Sequence, residues 1–321
     1  MNKIIITSIN PETEATRKFK DIPDWSLTVV GDKKTPNYDD PKINFIPYST
    51  QDENYKISKV LPVNSYCRKN IGYIEAIKSG AGIIYETDDD NIPYNFWDFE
   101  KFETTNVLNS NEKFANIYSY LSGEKIWARG FPLEYINKTI NHRIETRTSS
   151  VGVWQTLIDH DPDVDAIYRL TINKHINFDV KESFAVTEGV YAPFNSQSTF
   201  WNKECFIYMY FPSTVSWRFS DILRSYITQR LLWQDGLKLG FRKSIVFQDR
   251  FREDYMRDFV DEIPLYTNVV KTINLLDKMK FTSSKQDNLI KVYTELAKNN
   301  IVKGEELDIL NVWLDTLKGL V

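Results

Sequence analysis

Three consecutive carboxylates, Asp88-Asp89-Asp90, close the stretch "GIIYETDDDN" at residues 82–91. Like charges side by side repel, so such a triplet is either solvated or gathered round a cation. In an extended segment alternate residues point to one side, which predicts that Asp88 and Asp90 converge while Asp89 faces away. Two converging carboxylates suit a hard divalent ion with oxygen ligands, Mn²⁺ or Mg²⁺, that keeps several waters and is completed by phosphate oxygens. The competing reading is a solvated acidic turn with Asn91 and Pro93 as its turn residues. His142, His160 and His175 show no paired metal spacing, and Cys67 and Cys205 are too few for a disulfide scaffold. A reducing, cytoplasmic compartment is expected.

The elements that must position this triplet can be read from the pattern around it. "KIIITSI" is a short β-branched run ended by Asn10-Pro11, "WSLTVVGD" a second strand, "INFIPY" a third and "IIYETDDD" a fourth. Between them, "PETEATRKFKDI" can carry a helix, and "NSYCRKNIGYIEAIKSGAG" reads as one, capped by Ser65 and stopped by Gly80 and Gly82. Strands alternating with helices indicate an α/β, mostly parallel sheet. Ligands of such sheets bind beyond the carboxyl ends of the strands. Asn10, Asp32 and Asp88 to Asp90 all fall at such ends.

Composition narrows the classes. A chain of 321 residues with 42% hydrophobic residues can bury a sizeable core, and a net charge of -4 gives no basic footprint for nucleic acid. Aromatics at 14% suit sugar or base sites as well as packing. "MNKIIITSIN" is not a signal peptide. No apolar run approaches the ~20 residues of a membrane span; the longest, "CFIYMYF" at 205–211, has the length of a strand. A peripheral membrane contact and oligomerisation are compatible with the sequence. Gly-x-Gly-x-x-Gly after the first strand and Gly-x-x-x-x-Gly-Lys are both absent. From about Thr267 three amphipathic segments follow, with stripes such as Leu289, Ile290, Tyr293 and Leu296, and Leu310, Trp313, Leu314 and Leu317. They predict a helical extension at 266–321 packed on a domain at 1–265.

"YETDDDNIP", together with "YCRKNIGY", "WARGFPL", "DVDAIYRL" and "DILRSYITQRLLW", resembles the STELLO (DUF288) family of glycosyltransferase-like proteins, in the same order from about Asn64 to about Asn268. The resemblance implies a GT-A-type nucleotide-diphospho-sugar transferase fold, an Asp-x-Asp metal site binding Mn²⁺ or Mg²⁺, a nucleotide-sugar donor (a UDP-sugar favoured) and a hydroxyl acceptor on a glycan or other molecule. Plant members carry a membrane anchor and long additional regions, whereas this chain begins at its first strand and is expected to be a free-standing catalytic domain.

Roles follow from that implication. Ser8 and Asn10 are expected to contact the nucleotide, and Asp32 its base. Arg68 and Asn70 suit a ribose or diphosphate at a helix start. Asp89 suits the donor's ribose or sugar, Trp127 a sugar face, and Arg129 a phosphate. Asp88, Asp90 and Asp249 are the expected metal ligands, with Arg250 helping to close the site. "DHDPDVDAIYRL" lacks the glycine and closing Glu of a calcium loop, since Ala166 and Ile172 stand there; Asp163 and Asp165 are instead candidates to touch donor or acceptor. "PFNSQSTFW" suits hydroxyl recognition by Asn195 and Gln197. Asp221, expected in the first turn of a helix starting near Ser220, is the candidate general base, with Arg224 on the same face as a diphosphate ligand or as the partner of Asp221. A triple Asp also occurs in plant UDP-arabinopyranose mutases, so a nucleotide-sugar mutase is the alternative, and a non-catalytic scaffold the third reading.

Overall fold

A computed structural model describes residues 1–178, 182–249 and 254–320. The first half alternates as its periodicity predicts. Strands β1 (Asn2–Ser8), β2 (Trp25–Gly31), β3 (Ile43–Ile46) and β4 (Ile83–Thr87) are joined by helices α1 (Glu14–Phe19), α2 (Tyr48–Asn54) and α3 (Lys69–Lys78). These four strands lie parallel in the order β3-β2-β1-β4. Short strand β5 (Ile92–Pro93) follows, then β6 (Glu103–Ser110), helix α4 (Ile117–Ser122), the long β7 (His142–His160), helix α5 (Ala166–Thr171), β8 (Phe184–Val186) and β9 (Ser198–Asn202). Helix α6 (Trp217–Gln234), strand β10 (Lys238–Gln248) and helices α7 (Tyr255–Lys278), α8 (Lys285–Lys298) and α9 (Glu306–Leu317) complete the chain.

All ten strands form one sheet, ordered β3-β2-β1-β4-β9-β7-β6-β8-β10-β5. It is parallel through its first four members and mixed beyond, because β9 runs antiparallel to both β4 and β7. The run expected to have strand length at 205–211 is mostly a 3₁₀ turn, Lys203–Met209.

Two apolar clusters sandwich the sheet. The smaller holds Ile4, Ile6, Phe19, Tyr85, Trp154 and Phe200. The larger takes the opposite side-chain set of the same strands, Ile5 and Ile84 among it, and extends without a break through α3 and α6 to Leu265, Ile273, Tyr293 and Trp313. The boundary placed at 265/266 therefore falls inside α7. Gly72 lets α3 lie against the sheet: a Cβ there would meet Ile5 at 2.5 Å. The last helix also holds a loop in place. Buried Glu306, at the start of α9, accepts from the Tyr210 hydroxyl and the Ser213 and Thr214 amides at 2.5, 3.0 and 2.7 Å. That loop leads directly into α6.

Candidate functional site

The carboxyl ends of β1, β2 and β4 open into a cleft of about 300 Å³ lined by Thr7, Ser8, Asn10, Asp32, Asp89 and Asp90 among others. Its walls are set by hydrogen bonds between neighbouring strand ends. Asp32 accepts from the Lys33 and Ser65 amides at 2.6 and 3.1 Å, tying the end of β2 to the turn that starts α3. Asp89 accepts from the Ser8 hydroxyl and from Asn10 Nδ2, the latter at 3.0 Å. Burial raises the Asp89 pKa, while these two donors pull it back down.

The triplet does not alternate as an extended strand would. Strand β4 ends at Thr87 and the chain turns, with the Asn91 amide donating to the Asp88 carbonyl. Asp89 and Asp90 consequently share the cleft, while Asp88 lines a second, adjoining slot. There the buried Lys69 ammonium donates to Asp88 Oδ1 at 2.8 Å and to the Ser196 carbonyl at 3.1 Å.

This slot encloses about 20 Å³ and is lined by Tyr66, Asp88, Arg129, Gln197, Trp217 and Asp221 among others. Tyr66 lines both slot and cleft. Arg129 forms the slot's scaffold: its guanidinium grips Asp163 at 2.9 and 2.7 Å and Asp221 at 2.9 and 2.9 Å. Burial opposes the charge on Arg129, but the two carboxylates outweigh it and hold the group protonated. Beside it, Arg218 is bound to the fully buried Glu262. Gly130, at φ +90°, makes this approach possible, since a Cβ would sit 2.3 Å from Ile222 on α6.

Several expected roles meet a different geometry. Arg68 stands in the cleft wall, but its guanidinium donates to Gln51 and, at 2.9 Å, to Ser58. Asn70 is fully buried and bonds the Phe211 backbone at both ends, 2.8 Å each. Arg224 does not pair with Asp221; it grips Glu86 in the core, where Trp201 also donates to Glu86. Arg129 faces carboxylates rather than a free phosphate subsite. Trp127 is buried, its indole donating to Asp165 at 2.7 Å. Asp165 caps α5 through the Tyr168 amide at 2.8 Å, and burial pushes its pKa up to about 7. Asp163 is enclosed by Arg129 and Asn195. Helix α6 starts at Trp217, so Asp221 lies in its second turn and the N-terminal dipole argument does not apply to it. Asp249 bonds His160 at 2.8 Å in a separate cavity of about 360 Å³. Arg250 lies outside the described residues.

The sequence reading passed over Lys69, Tyr66 and Trp217. Lys69 had a signal: it shares a helix face with Tyr73 and Ala76, all buried. Among the described residues no group of three or more His, Cys, Asp or Glu side chains could hold a metal by itself. The donor set fits a hard cation that keeps most of its waters and shares phosphate oxygens, and does not fit an all-protein cage.

The acidic cleft thus lies where α/β sheets bind their ligands, beyond the carboxyl ends of the strands. The model of the STELLO glycosyltransferases matches residues 218–321. Probable glycosyltransferase STELLO1 of Arabidopsis thaliana is 28% identical over 343 aligned positions, which cover 98% of this chain and 44% of that protein. Probable glycosyltransferase STELLO2 is 29% identical over 299 positions, covering 85% and 39%. The chain is thus similar to these two proteins along most of its length, and spans less than half the length of either. Among solved structures, glucosyl-3-phosphoglycerate synthase from Mycobacterium tuberculosis with Mn²⁺ and UDP-glucose is similar at a TM-score of 0.41 and 11% identity, covering 88% of this chain and 80% of that one. The likeness is too loose to carry an argument. No described helix is long and apolar enough to cross a membrane.

Proposed function

We propose that the chain is a GT-A-type glycosyltransferase that moves a sugar from a nucleoside diphosphate sugar, a UDP-sugar favoured, to an acceptor hydroxyl. The observation that carries this reading is the junction of two sites at Tyr66: a cleft at the strand tips sized for a nucleotide and a carboxylate-lined slot beside it. The STELLO resemblance supports the donor class.

In this reading Asp32 and Ser65 border the nucleoside. Asp89, held by Ser8 and Asn10, fixes the floor under the diphosphate. Asp90 from the cleft and Asp88 from the slot would hold Mn²⁺ or Mg²⁺, and the ion would supply neutralisation of charge on the departing diphosphate. Lys69 fixes Asp88 in place. The acceptor oxygen bonds to the anomeric carbon as the bond from that carbon to the diphosphate oxygen breaks. The acceptor proton passes to Asp221, a slot-lining carboxylate whose orientation is set by Arg129. The nucleoside diphosphate leaves with the bonding pair.

Asp221→Asn tests the assignment. General-base assistance contributes ~10²–10⁴-fold in rate, so transfer from a UDP-sugar should fall on that scale while UDP affinity, by calorimetry, is kept. Because this variant also loosens Arg129, Asp163→Asn serves as control: it breaks the other half of the same clamp and should cost far less. Equal losses in the two variants would remove Asp221 from the chemistry.

A further inference from the structure

Resting on the transferase reading, we infer that segment 195–197 is a strut that sets the spacing between the proposed metal ligand Asp88 and the proposed base Asp221, with Lys69 and Asn195 as positioning residues at its two ends.

The segment lies just before β9, outside regular structure, yet Asn195, Ser196 and Gln197 are each at most 5% exposed. Buried backbone groups must find partners, and here the partners stand on two sides. Toward the triplet, the Ser196 carbonyl accepts from Lys69 Nζ at 3.1 Å and the Gln197 carbonyl from Asn91 Nδ2 at 2.9 Å. Toward the arginine clamp, Asn195 Nδ2 donates to Asp163 Oδ2 at 3.0 Å, and the Ser196 amide donates to Asp221 Oδ2 at 3.4 Å. Ser196 therefore meets the base through its N–H and, by way of Lys69, the triplet through its C=O.

The segment is also stiffened from behind. Gln155 of β7 is buried; its Oε1 accepts from the Asn195 amide at 2.7 Å and its Nε2 donates to the Ser198 carbonyl at 2.9 Å. The Gln197 amide closes on Asn195 Oδ1 at 3.0 Å. Asn195, expected from the sequence to read a substrate hydroxyl, thus has both ends of its side chain committed inside the protein.

Lys69 is the donor-side end. Its ammonium is fully buried and donates to Asp88 Oδ1 at 2.8 Å. A buried cation is tolerated only when paired and hydrogen-bonded. An ammonium at Asp88 repels a divalent ion held by the same carboxylate, so the tie to Ser196, and not the hold on the ion, is what this lysine serves. Removing it should relieve the ion and free the strut, which separates a positioning role from plain support of the fold.

The test uses the whole chain with Lys69→Met and Asn195→Ala. It reads Mn²⁺ and UDP affinity by calorimetry, release of UDP from UDP-glucose with water as acceptor, and hydrogen exchange of the Ser196 amide by NMR. Misplacing a reacting group by about 1 Å can cost about 10²-fold in rate. In Lys69→Met, kcat should fall toward that scale, with KM kept and Mn²⁺ bound in the presence of UDP at least as tightly as in the wild type. Asn195→Ala, which leaves Lys69 and Asp88 in place, should lower kcat by less and leave both affinities unchanged; it decides the matter where Lys69→Met does not fold. In both, the Ser196 amide should exchange faster while amides of β1 and β4 keep their rates. Weaker Mn²⁺ binding in Lys69→Met, parallel losses of kcat and UDP affinity in Asn195→Ala, or unchanged Ser196 exchange in the folded variants would overturn the inference. The exchange measurement needs neither ligand nor turnover. Failure of the wild-type chain to bind UDP would instead count against the transferase reading itself.

Discussion

The cleft and the slot meet at one tyrosine but are built by opposite means. The cleft comes from the first ninety residues, from strand tips and neighbouring turns, and its polar groups are held by hydroxyl and amide donors such as Ser8 to Asp89 and Thr35 Oγ1 to the Ser8 carbonyl. The slot gathers Asp88, Arg129, Gln197, Phe211 and Asp221 from five separated segments, and it is held by long-range buried charge. A surface formed by strand ends can bind whatever fits; one formed by interlocked ion pairs is stiff and admits one shape. The difference suggests that donor binding tolerates change and acceptor geometry does not.

The largest test of that contrast is Arg129→Met. Removing one partner of a buried pair costs about 3–5 kcal/mol, and here two carboxylates, Asp163 and Asp221, would lose their cation. Urea unfolding should show a loss of that size; a drop below about 1 kcal/mol would mean that the clamp is not what stiffens the slot. Next is Glu306→Ala, far along the chain. It strips an acceptor from Tyr210, Ser213 and Thr214, at about 1–3 kcal/mol for buried donors left unpaired. It should also impair transfer through Phe211 and Trp217 while UDP affinity holds.

Asp90→Ala sits on the cleft side of the comparison. With Mn²⁺ present, UDP should bind about ten-fold tighter than in EDTA, roughly 1.4 kcal/mol, and the variant should lose that gap with little change in stability. Identical UDP binding with and without metal in the wild type would sink the metal assignment. The last test is a pH slope. Asp165 titrates near 7 when folded, because burial disfavours its charge, against about 4 when unfolded. Between those values the folded chain holds a proton the unfolded chain has released. Stability at this site therefore falls as pH rises through that window, and Asp165→Asn should flatten the fall in a series of thermal melts.

The same division explains what could be read without coordinates. The four parallel strands, helices α1 and α3 and the position of the triplet follow from local periodicity and turn residues, so the outline of the cleft was legible, while α2 was not foreseen. Asp32, Ser8 and Asn10 were found because they end strands. The slot was not legible, since nothing local marks Arg129 as the partner of Asp221 rather than Arg224 as its helical neighbour. The α6 start also misled: "WRFSD" carries no cap signal strong enough to separate Trp217 from Ser220. The side on which Asp88 lies was misread because strand alternation was extended past Thr87, where the chain already turns. Lys69 was readable in principle, as a lone cation on a buried helix face.

The pairing scheme of the sheet has one more outcome, for how the molecule behaves among its copies. A ten-stranded sheet would ordinarily offer long rims on which a foreign strand could add. Here one rim is β3, four residues long, and the other is β5, two residues ending in Pro93, and proline cannot donate to a ladder. Another run open on one side among the described residues is the first half of β7, whose described partner over His142–Ser150 is β6 alone. That run displays Arg143, Glu145 and Arg147, all exposed, and charged side chains blunt an edge against templated growth. The protein thus carries its own defence against strand-by-strand self-association at the very places where so wide a sheet is most vulnerable.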